Sequence, residues 1–215
     1  MHSDLRQRLA TALRTTSATM VTAIPDDDTA ISLATALEKL NQYLLTAAQR
    51  LEGLDPDTPS LKSFDADNFS TLRSSTSPIT GSCNPLASPA TIYQVNNEVG
   101  SYVEGYVQYG VVYQGRPGYV HGGVIAQLFD GFLGAANVAA GNPGMTGTLT
   151  VRHLEPTPLR TLLRVEGHCR RREGRKIYSW GGLYDGEVLT AEADGIFIDV
   201  TAVGFRGVAQ SGQHA

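Results

Sequence analysis

One long apolar segment with a single charged residue most constrains how this chain can fold. It reads GYVHGGVIAQLFDGFLGAANVAAG, and Asp130 is the only charged residue between Gly123 and Gly141. The pattern predicts a helix that is apolar nearly all round, and such a helix must be enclosed by other elements. An ionised carboxylate on it is costly to desolvate unless it is paired or used. The fold must therefore bury the helix and still accommodate Asp130.

Segments on both sides of this helix carry the alternating pattern of half-buried β-strands. Apolar positions from Val103 to Val111 alternate with Glu104, Tyr106 and Gln108. Four further strand candidates follow the helix: Thr146–Leu154, Leu162–Arg172, Lys176–Tyr184 and Val188–Val200. Glu173-Gly174 and Asp185-Gly186 are typical of hairpin turns. The order predicts an α+β fold in which an antiparallel β-sheet wraps one long central helix.

The rest of the chain divides by composition. Residues 1–53 are predicted to form a helical N-terminal extension, whose leucines fall near heptad spacing at Leu33, Leu37, Leu40, Leu44 and Leu51. We favour a helix that packs on its own domain, with an interaction arm as the alternative. Residues 54–92 are rich in Pro, Ser and Thr and predict a linker or extended arm. Residues 93–200 form the main domain, and 201–215 a flexible C-terminal tail.

Charge and composition exclude several classes of protein. The net charge is −4, and residues 1–60 hold five Lys or Arg against eight Asp or Glu, which argues against nucleic-acid binding. Cys83 and Cys169 form no CxxC pair and favour a reducing, cytoplasmic location. No apolar run reaches membrane-spanning length. Metal-ligand spacings, a GxSxG elbow and nucleotide-binding glycine motifs are lacking, so we expect neither a metal nor another cofactor.

The start of the apolar helix combines features that suit acyl chemistry. Gly122 and Gly123 allow another backbone or a ligand to approach closely. Free N–H groups and the positive end of the helix dipole favour a developing oxyanion there. Asp130 belongs to a stripe of polar and small residues that includes Gln127 and that needs a ligand channel or a second subunit. The alternative is that Asp130 only hydrogen-bonds to neighbouring backbone.

These motifs resemble those of hotdog-fold acyl-CoA thioesterases of the phenylacetate-pathway type. That family has His-Gly-Gly at the helix start, Asp nine residues after the His, and a following strand of the form T-x-x-L-x-V-x-[YH]-x-x-P. Here these are His121-Gly122-Gly123, Asp130, and TGTLTVRHLEP at residues 146–156. Gly174-Arg175-Lys176 and the strand Ala191–Phe197 also match. The resemblance covers about residues 93–200 and implies a hotdog fold for them, which the N-terminal helical extension precedes.

The resemblance also implies an activity and roles for individual residues. An acyl-CoA would be hydrolysed to a carboxylic acid and CoA. The Gly122 N–H would polarise the thioester carbonyl, Asp130 would act as general base or nucleophile, and Thr146 would hydrogen-bond the water or Asp130. His121 would brace the loop, and Gly123 and Gln127 would contact substrate. The site would span the interface of a homodimer or dimer of dimers, with Gly122 and Asp130 from opposite subunits.

Two sequence features leave the substrate contacts open. Some branches of the family carry an orienting Asn shortly before the His, where this chain offers only the amide of Gln114. Residues 170–176 hold five cations, and we predict that Arg172, Arg175 and Lys176 bind the phosphates of CoA. The alternative is a solvated hairpin tip.

Two other functions compete with hydrolysis. One is a non-catalytic hotdog protein that binds and senses acyl-CoA. The other is a hotdog hydratase, which needs an Asp/His or Glu/His pair at the helix, whereas His121 lies nine residues from Asp130 with no second His nearby.

Overall fold

The computed structural model describes residues 2–23, 25–47, 77–88, 90–97 and 100–199. Six antiparallel strands form one sheet in the order β1-β2-β4-β5-β6-β3. The strands are β1 (Thr91–Asn97), β2 (Gly100–Gln108), β3 (Met145–His153), β4 (Leu162–Glu173), β5 (Lys176–Asp185) and β6 (Val188–Ile198). The helices are α1 (His2–Thr22), α2 (Asp27–Ala47) and α3 (Gly122–Ala139). Helix α3 lies against the sheet, which confirms the predicted wrapped-helix architecture.

The core is built around α3, as its apolar composition predicts. The large side chains Leu128, Phe129, Phe132 and Leu133 are fully buried between the helix and the sheet. Glycines on three adjacent strands let the backbone of the sheet come close to the helix. A methyl group at Gly167 would lie 3.0 Å from the carbonyl oxygen of Phe132, and one at Gly195 would lie 3.0 Å from Leu133. The sheet can therefore follow the helix closely along its length.

The strands agree closely with the sequence patterns after α3 and less closely before it. All four strand candidates after the helix are confirmed, and Gly174 and Gly186 adopt the positive φ of their hairpin turns. The strand predicted over 103–111 begins earlier and ends at Gln108, because residues 111–113 form a 3-10 turn. Strand β1 was not separately predicted. Its side chains are mostly exposed on the sheet edge, so no apolar alternation marks it.

Strand β3 forms the other edge of the sheet and has no neighbour beyond it among the described residues. None of its side chains is buried, although Leu149 and Val151 are half-buried against the core. Nine residues of edge strand with free hydrogen-bonding groups are a template for pairing with another strand.

The N-terminal extension contains two helices that differ in their packing. Helix α1 packs on its own domain, where Ala10 is 2% exposed. Helix α2 begins after Asp26, whose carboxylate accepts a hydrogen bond from the Thr29 N–H at 2.8 Å. Its Leu33, Leu37 and Leu40 are exposed, so the favoured packing on the domain is not seen for α2.

Several sequence predictions fall beyond the described residues. These are the helix end at Gly53, most of the arm predicted over 54–92, and the tail at 201–215. None of the three helices in the described ranges has both the length and the hydrophobicity needed to cross a membrane.

Candidate active site

His121 forms the N-terminal cap of α3. Its Nδ1 accepts a hydrogen bond from the N–H of Gly123 at 3.0 Å, and its own N–H donates to the carbonyl of Tyr113 at 2.8 Å. The carbonyl of His121 accepts from Val124 and Ile125 at 2.9 and 3.3 Å. His121 therefore satisfies most of the amides in the first turn of the helix.

The N–H of Gly122 is the amide that this arrangement leaves available. Among the described residues, none accepts a hydrogen bond from it. It lies at the positive end of an 18-residue helix, where a negative oxygen is stabilised by the dipole and by the free N–H. The local geometry thus suits the oxyanion contact that the resemblance implies.

His153 lies next to Gly122, although the sequence did not predict it as a site residue. A methyl group at Gly122 would lie 3.2 Å from the His153 Nε2, so a larger residue there would crowd the imidazole. His153 ends β3 and is exposed. Its place in the strand motif was the available signal, since that motif allows only Tyr or His at this position.

Asp130 is paired with Thr146, which lies near the start of β3. The Thr146 hydroxyl donates to Asp130 Oδ1 at 2.6 Å. In the described structure no residue hydrogen-bonds to Oδ2, and the carboxylate is half-buried. A β-bulge follows immediately, because the register of β3 against β6 shifts between Thr146 and Thr148. Asp130 thus contacts a side chain and not merely neighbouring backbone, and one carboxylate oxygen stays available.

Gly122 and Asp130 lie far apart within one chain. They are eight positions apart on α3, or roughly 12 Å along a helix that rises 1.5 Å per residue. A single thioester carbonyl cannot contact both groups across that distance. Each of the two groups lies beside a different end of β3. His153 lies beside Gly122, and Thr146 lies beside Asp130.

Of the remaining residues of the helix stripe, some are exposed and some are buried. Gly123 and Gln127 are exposed, as substrate contacts require. Asn137 is fully buried, and its Oδ1 accepts from the Ser179 hydroxyl at 2.6 Å. The amide of Gln114 faces its own loop, since its Oε1 accepts from the Gly118 N–H at 3.0 Å. Gln114 therefore shapes the loop that leads to His121.

Comparison with known proteins relates the chain to one family. The thioesterase superfamily model matches residues 117–192, which include the α3 motif and most of the sheet. Residues 117–192 thus match the thioesterase superfamily. The thioesterase superfamily protein RHA08564 is similar to the chain over 90% of both chains, with 29% sequence identity and a TM-score of 0.77. Its match extends well beyond the residues that the family model covers.

Other solved structures are similar to the chain over about half of its length. A phenylacetic acid degradation-related protein from Ralstonia eutropha JMP134 is 23% identical over 51% of this chain and 83% of its own, with a TM-score of 0.45. Thioesterase superfamily member 2 from Mus musculus is 14% identical over 51% and 80%, with a TM-score of 0.45. No curated protein matches the sequence. The match at residues 117–192 and the similarity to RHA08564 confirm the predicted hotdog fold and the resemblance to thioesterases.

Two arginines of the basic hairpin form ion pairs with carboxylates of the same chain. Arg172 Nη2 contacts Asp199 Oδ2 at 2.5 Å, and Asp199 is 5% exposed. The Arg172 Nε also donates to the carbonyl of Gly174 at 2.9 Å. Arg171 pairs with Glu173 and stacks on the ring of Tyr178. Arg172 thus holds the hairpin to the end of β6.

Arg175 and Lys176, the other two predicted CoA contacts, are exposed at the hairpin tip. Arg175 Nε donates to the Asp199 carbonyl at 3.3 Å. Lys176 pairs in register with Ile198 of β6, which pairs with Met145 of β3. The hairpin tip and Thr146 therefore lie at the same end of the sheet.

Proposed function

We propose that the protein hydrolyses acyl-CoA thioesters to a free carboxylic acid and CoA. The match to the thioesterase superfamily and the similarity to RHA08564 support thioester hydrolysis in general. The hydrogen bond from Thr146 to Asp130 is the observation that most supports hydrolysis at Asp130. It fixes the one carboxylate of an otherwise uncharged helix and leaves its second oxygen available to water. Cys169 is a free thiol, in keeping with the cytoplasmic location that we propose.

The reaction follows from these groups. Asp130 Oδ2 accepts a proton from a water molecule, whose oxygen attacks the thioester carbonyl carbon. The N–H of Gly122 and the dipole of α3 stabilise the negative oxygen of the tetrahedral intermediate. Collapse of the intermediate breaks the carbon–sulfur bond, and the departing thiolate takes the proton from Asp130 and leaves as CoA. In the nucleophilic variant, Asp130 attacks the carbonyl itself, and water then hydrolyses the resulting anhydride.

We further propose that β3 pairs with β3 of a second copy, as its unpaired edge favours. Thr146 and His153 lie near opposite ends of the strand. An antiparallel pairing about a two-fold axis between Leu149 and Thr150 would bring Thr146 of one copy opposite His153 of the other. Asp130 of one subunit would then face Gly122 of its partner. This arrangement resolves the separation of the two groups within one chain.

Replacement of Thr146 tests the role of its hydroxyl. Thr146→Val keeps the shape and removes the donor to Asp130, so kcat should fall by roughly 10-fold or more. Thr146→Ser keeps the hydroxyl and should have a mild effect. Equal kcat values for the Val and Ser variants in a thiol-release assay would show that the hydroxyl has no catalytic role.

Substitutions in the basic hairpin distinguish the cations proposed to bind CoA, Arg175 and Lys176, from Arg172, which stabilises the fold. We expect Arg175→Ala with Lys176→Ala to raise KM for acyl-CoA severalfold with little change in kcat, because both cations are exposed. An acyl-pantetheine substrate, which lacks the nucleotide phosphates, should be nearly unaffected. Arg172→Ala should mainly lower the melting temperature, since it leaves the buried Asp199 carboxylate without its cation. Equal KM changes for both substrates would assign the whole hairpin a structural role.

A panel of thioesters tests the proposed function and its alternative. We expect purified protein to release thiol from acyl-CoAs, and from acyl-pantetheines with higher KM. A protein that only senses acyl-CoA would bind the same compounds in calorimetry and release no thiol. Binding without turnover across the panel would therefore replace hydrolysis with the sensing function.

A further inference from the structure

A loop from the N-terminal part of the chain lies directly on the helix that carries Asp130. This loop comprises residues 77–88. A methyl group at Gly131 would lie 2.8 Å from Ile79 Cδ1 and 3.2 Å from its Cγ2, so the missing side chain makes room for Ile79. Ile79 is half-buried and packs against the core. An aliphatic side chain therefore lies on the helix at the residue next to Asp130.

The same loop also reaches the other end of the site. The hydroxyl of Tyr113 donates to the carbonyl of Leu86 at 2.8 Å, and the carbonyl of Tyr113 accepts from the His121 N–H at 2.8 Å. Burial raises the pKa of the Tyr113 phenol, so it remains a donor at neutral pH. The hydroxyl of Ser88 anchors the end of the loop on the Gln108 carbonyl at 2.5 Å. The loop is thus tied to the residue that caps α3.

Helix α1 holds this loop in place through Arg14. The guanidinium donates from Nη1 to the Asn84 carbonyl at 2.8 Å and lies 3.5 Å from the Ser82 carbonyl. Its Nη2 donates to the Thr11 hydroxyl at 2.8 Å, which fixes the orientation of the planar group. Asn84 in turn accepts from the Leu86 N–H at 2.8 Å and closes the turn. One side chain of α1 therefore contacts two carbonyls of the loop.

We propose that residues 77–88 form a wall of the acyl-binding site, in which Ile79 limits the size of the acyl group and Arg14 is a positioning residue. The inference rests on the proposed function, because it places the acyl group beside Asp130. The occupant is the apolar acyl chain, since Ile79 offers only aliphatic surface at this point. The charged nucleotide of CoA lies elsewhere. Helix α1 then contributes to the site, because its Arg14 positions the loop.

Changes in the size of Ile79 test the wall. We expect Ile79→Ala to shift activity toward longer or bulkier acyl-CoAs, changing the ratio of kcat/KM for long and short substrates by about 10-fold. Ile79→Trp should shift the same ratio toward short substrates. Ile92→Ala is the matched control, because Ile92 is an exposed isoleucine on the edge strand β1. It should keep the wild-type ratio.

The test of Arg14 compares KM with kcat, because a loss of stability alone would not raise KM selectively. Arg14→Ala should raise KM for acyl-CoA severalfold with kcat little changed, and Arg14→Lys should recover part of the loss by binding one carbonyl. Arg8→Ala, an exposed arginine on the same helix, is the control and should match the wild type. A fall in kcat with unchanged KM, or no recovery by lysine, would overturn the positioning role.

The outcomes separate this inference from the proposed function. If the wild type hydrolyses acyl-CoAs and both Ile79 variants keep the wild-type chain-length ratio, the wall is overturned and the function stands. If the wild type hydrolyses none, the function fails. Calorimetry with non-hydrolysable acyl-CoA thioethers of several lengths then tests the wall directly. A length dependence of binding that is the same in wild type and Ile79→Ala would overturn it.

Discussion

Asp130→Asn should lower kcat for acyl-CoA hydrolysis by about 100-fold or more while the protein stays folded. Asparagine keeps the shape of the side chain and an oxygen that can accept from the Thr146 hydroxyl, which lies 2.6 Å from Asp130 Oδ1. It removes the oxygen that accepts a proton from water, or attacks the carbonyl. Thiol release under saturating substrate measures kcat, and the melting temperature reports on folding.

A matched control separates loss of the base from loss of any surface carboxylate. Asp185→Asn changes the last residue of β5, which directly precedes the turn at Gly186 and lies far from Asp130 in the chain. It should keep the wild-type kcat. Turnover near the wild-type value in Asp130→Asn would contradict a catalytic role for the carboxylate.

Two inactive variants should regain activity when they share a dimer. Gly122→Val is expected to be inactive, because its side chain crowds the imidazole of His153 and disturbs the oxyanion contact. A mixed dimer with Asp130→Asn would hold one intact site, formed by Gly122 of one chain and Asp130 of the other. Random reassociation of equal amounts should therefore give about a quarter of the wild-type activity, since half of the two-fold dimers are mixed.

A second mixture distinguishes a shared site from a site within one chain. Wild type is reassociated with a chain that carries both Gly122→Val and Asp130→Asn. If the site is shared, every mixed dimer is inactive and about a quarter of the wild-type activity remains. A site contained in one chain would instead leave about half in this mixture and none in the first. Those two values together would refute the shared site.

The sequence was most informative where local pattern determines structure. The apolar stretch after His121 predicted α3 because only a buried helix tolerates so continuous an apolar surface. The turn residues at Gly174 and Gly186 marked the hairpins, since both adopt a positive φ. The spacing of Asp130 and Thr146 within the family motif pointed to their contact, and the structure shows it.

The contacts that the sequence did not reveal join residues far apart in the chain. Arg14 and Asn84 are 70 positions apart, and no periodicity links them. Ile79 lies in a segment whose Pro, Ser and Thr content predicted a linker or an extended arm, and its packing on Gly131 depends on the path of the loop. The pairing of Arg172 with Asp199 was equally hidden, because a run of cations does not indicate which of them has a buried partner.

A single-turnover experiment tests hydrolysis at Asp130 most directly. Enzyme in excess is mixed with the best acyl-CoA of the panel, and free CoA and carboxylic acid are quantified over time for wild type and Asp130→Asn. We predict that CoA and acid appear together in equal amounts with the wild type, and at least about 100-fold more slowly with the variant. Equal rates for the two proteins, or binding of acyl-CoA without release of either product by the wild type, would contradict the proposed reaction.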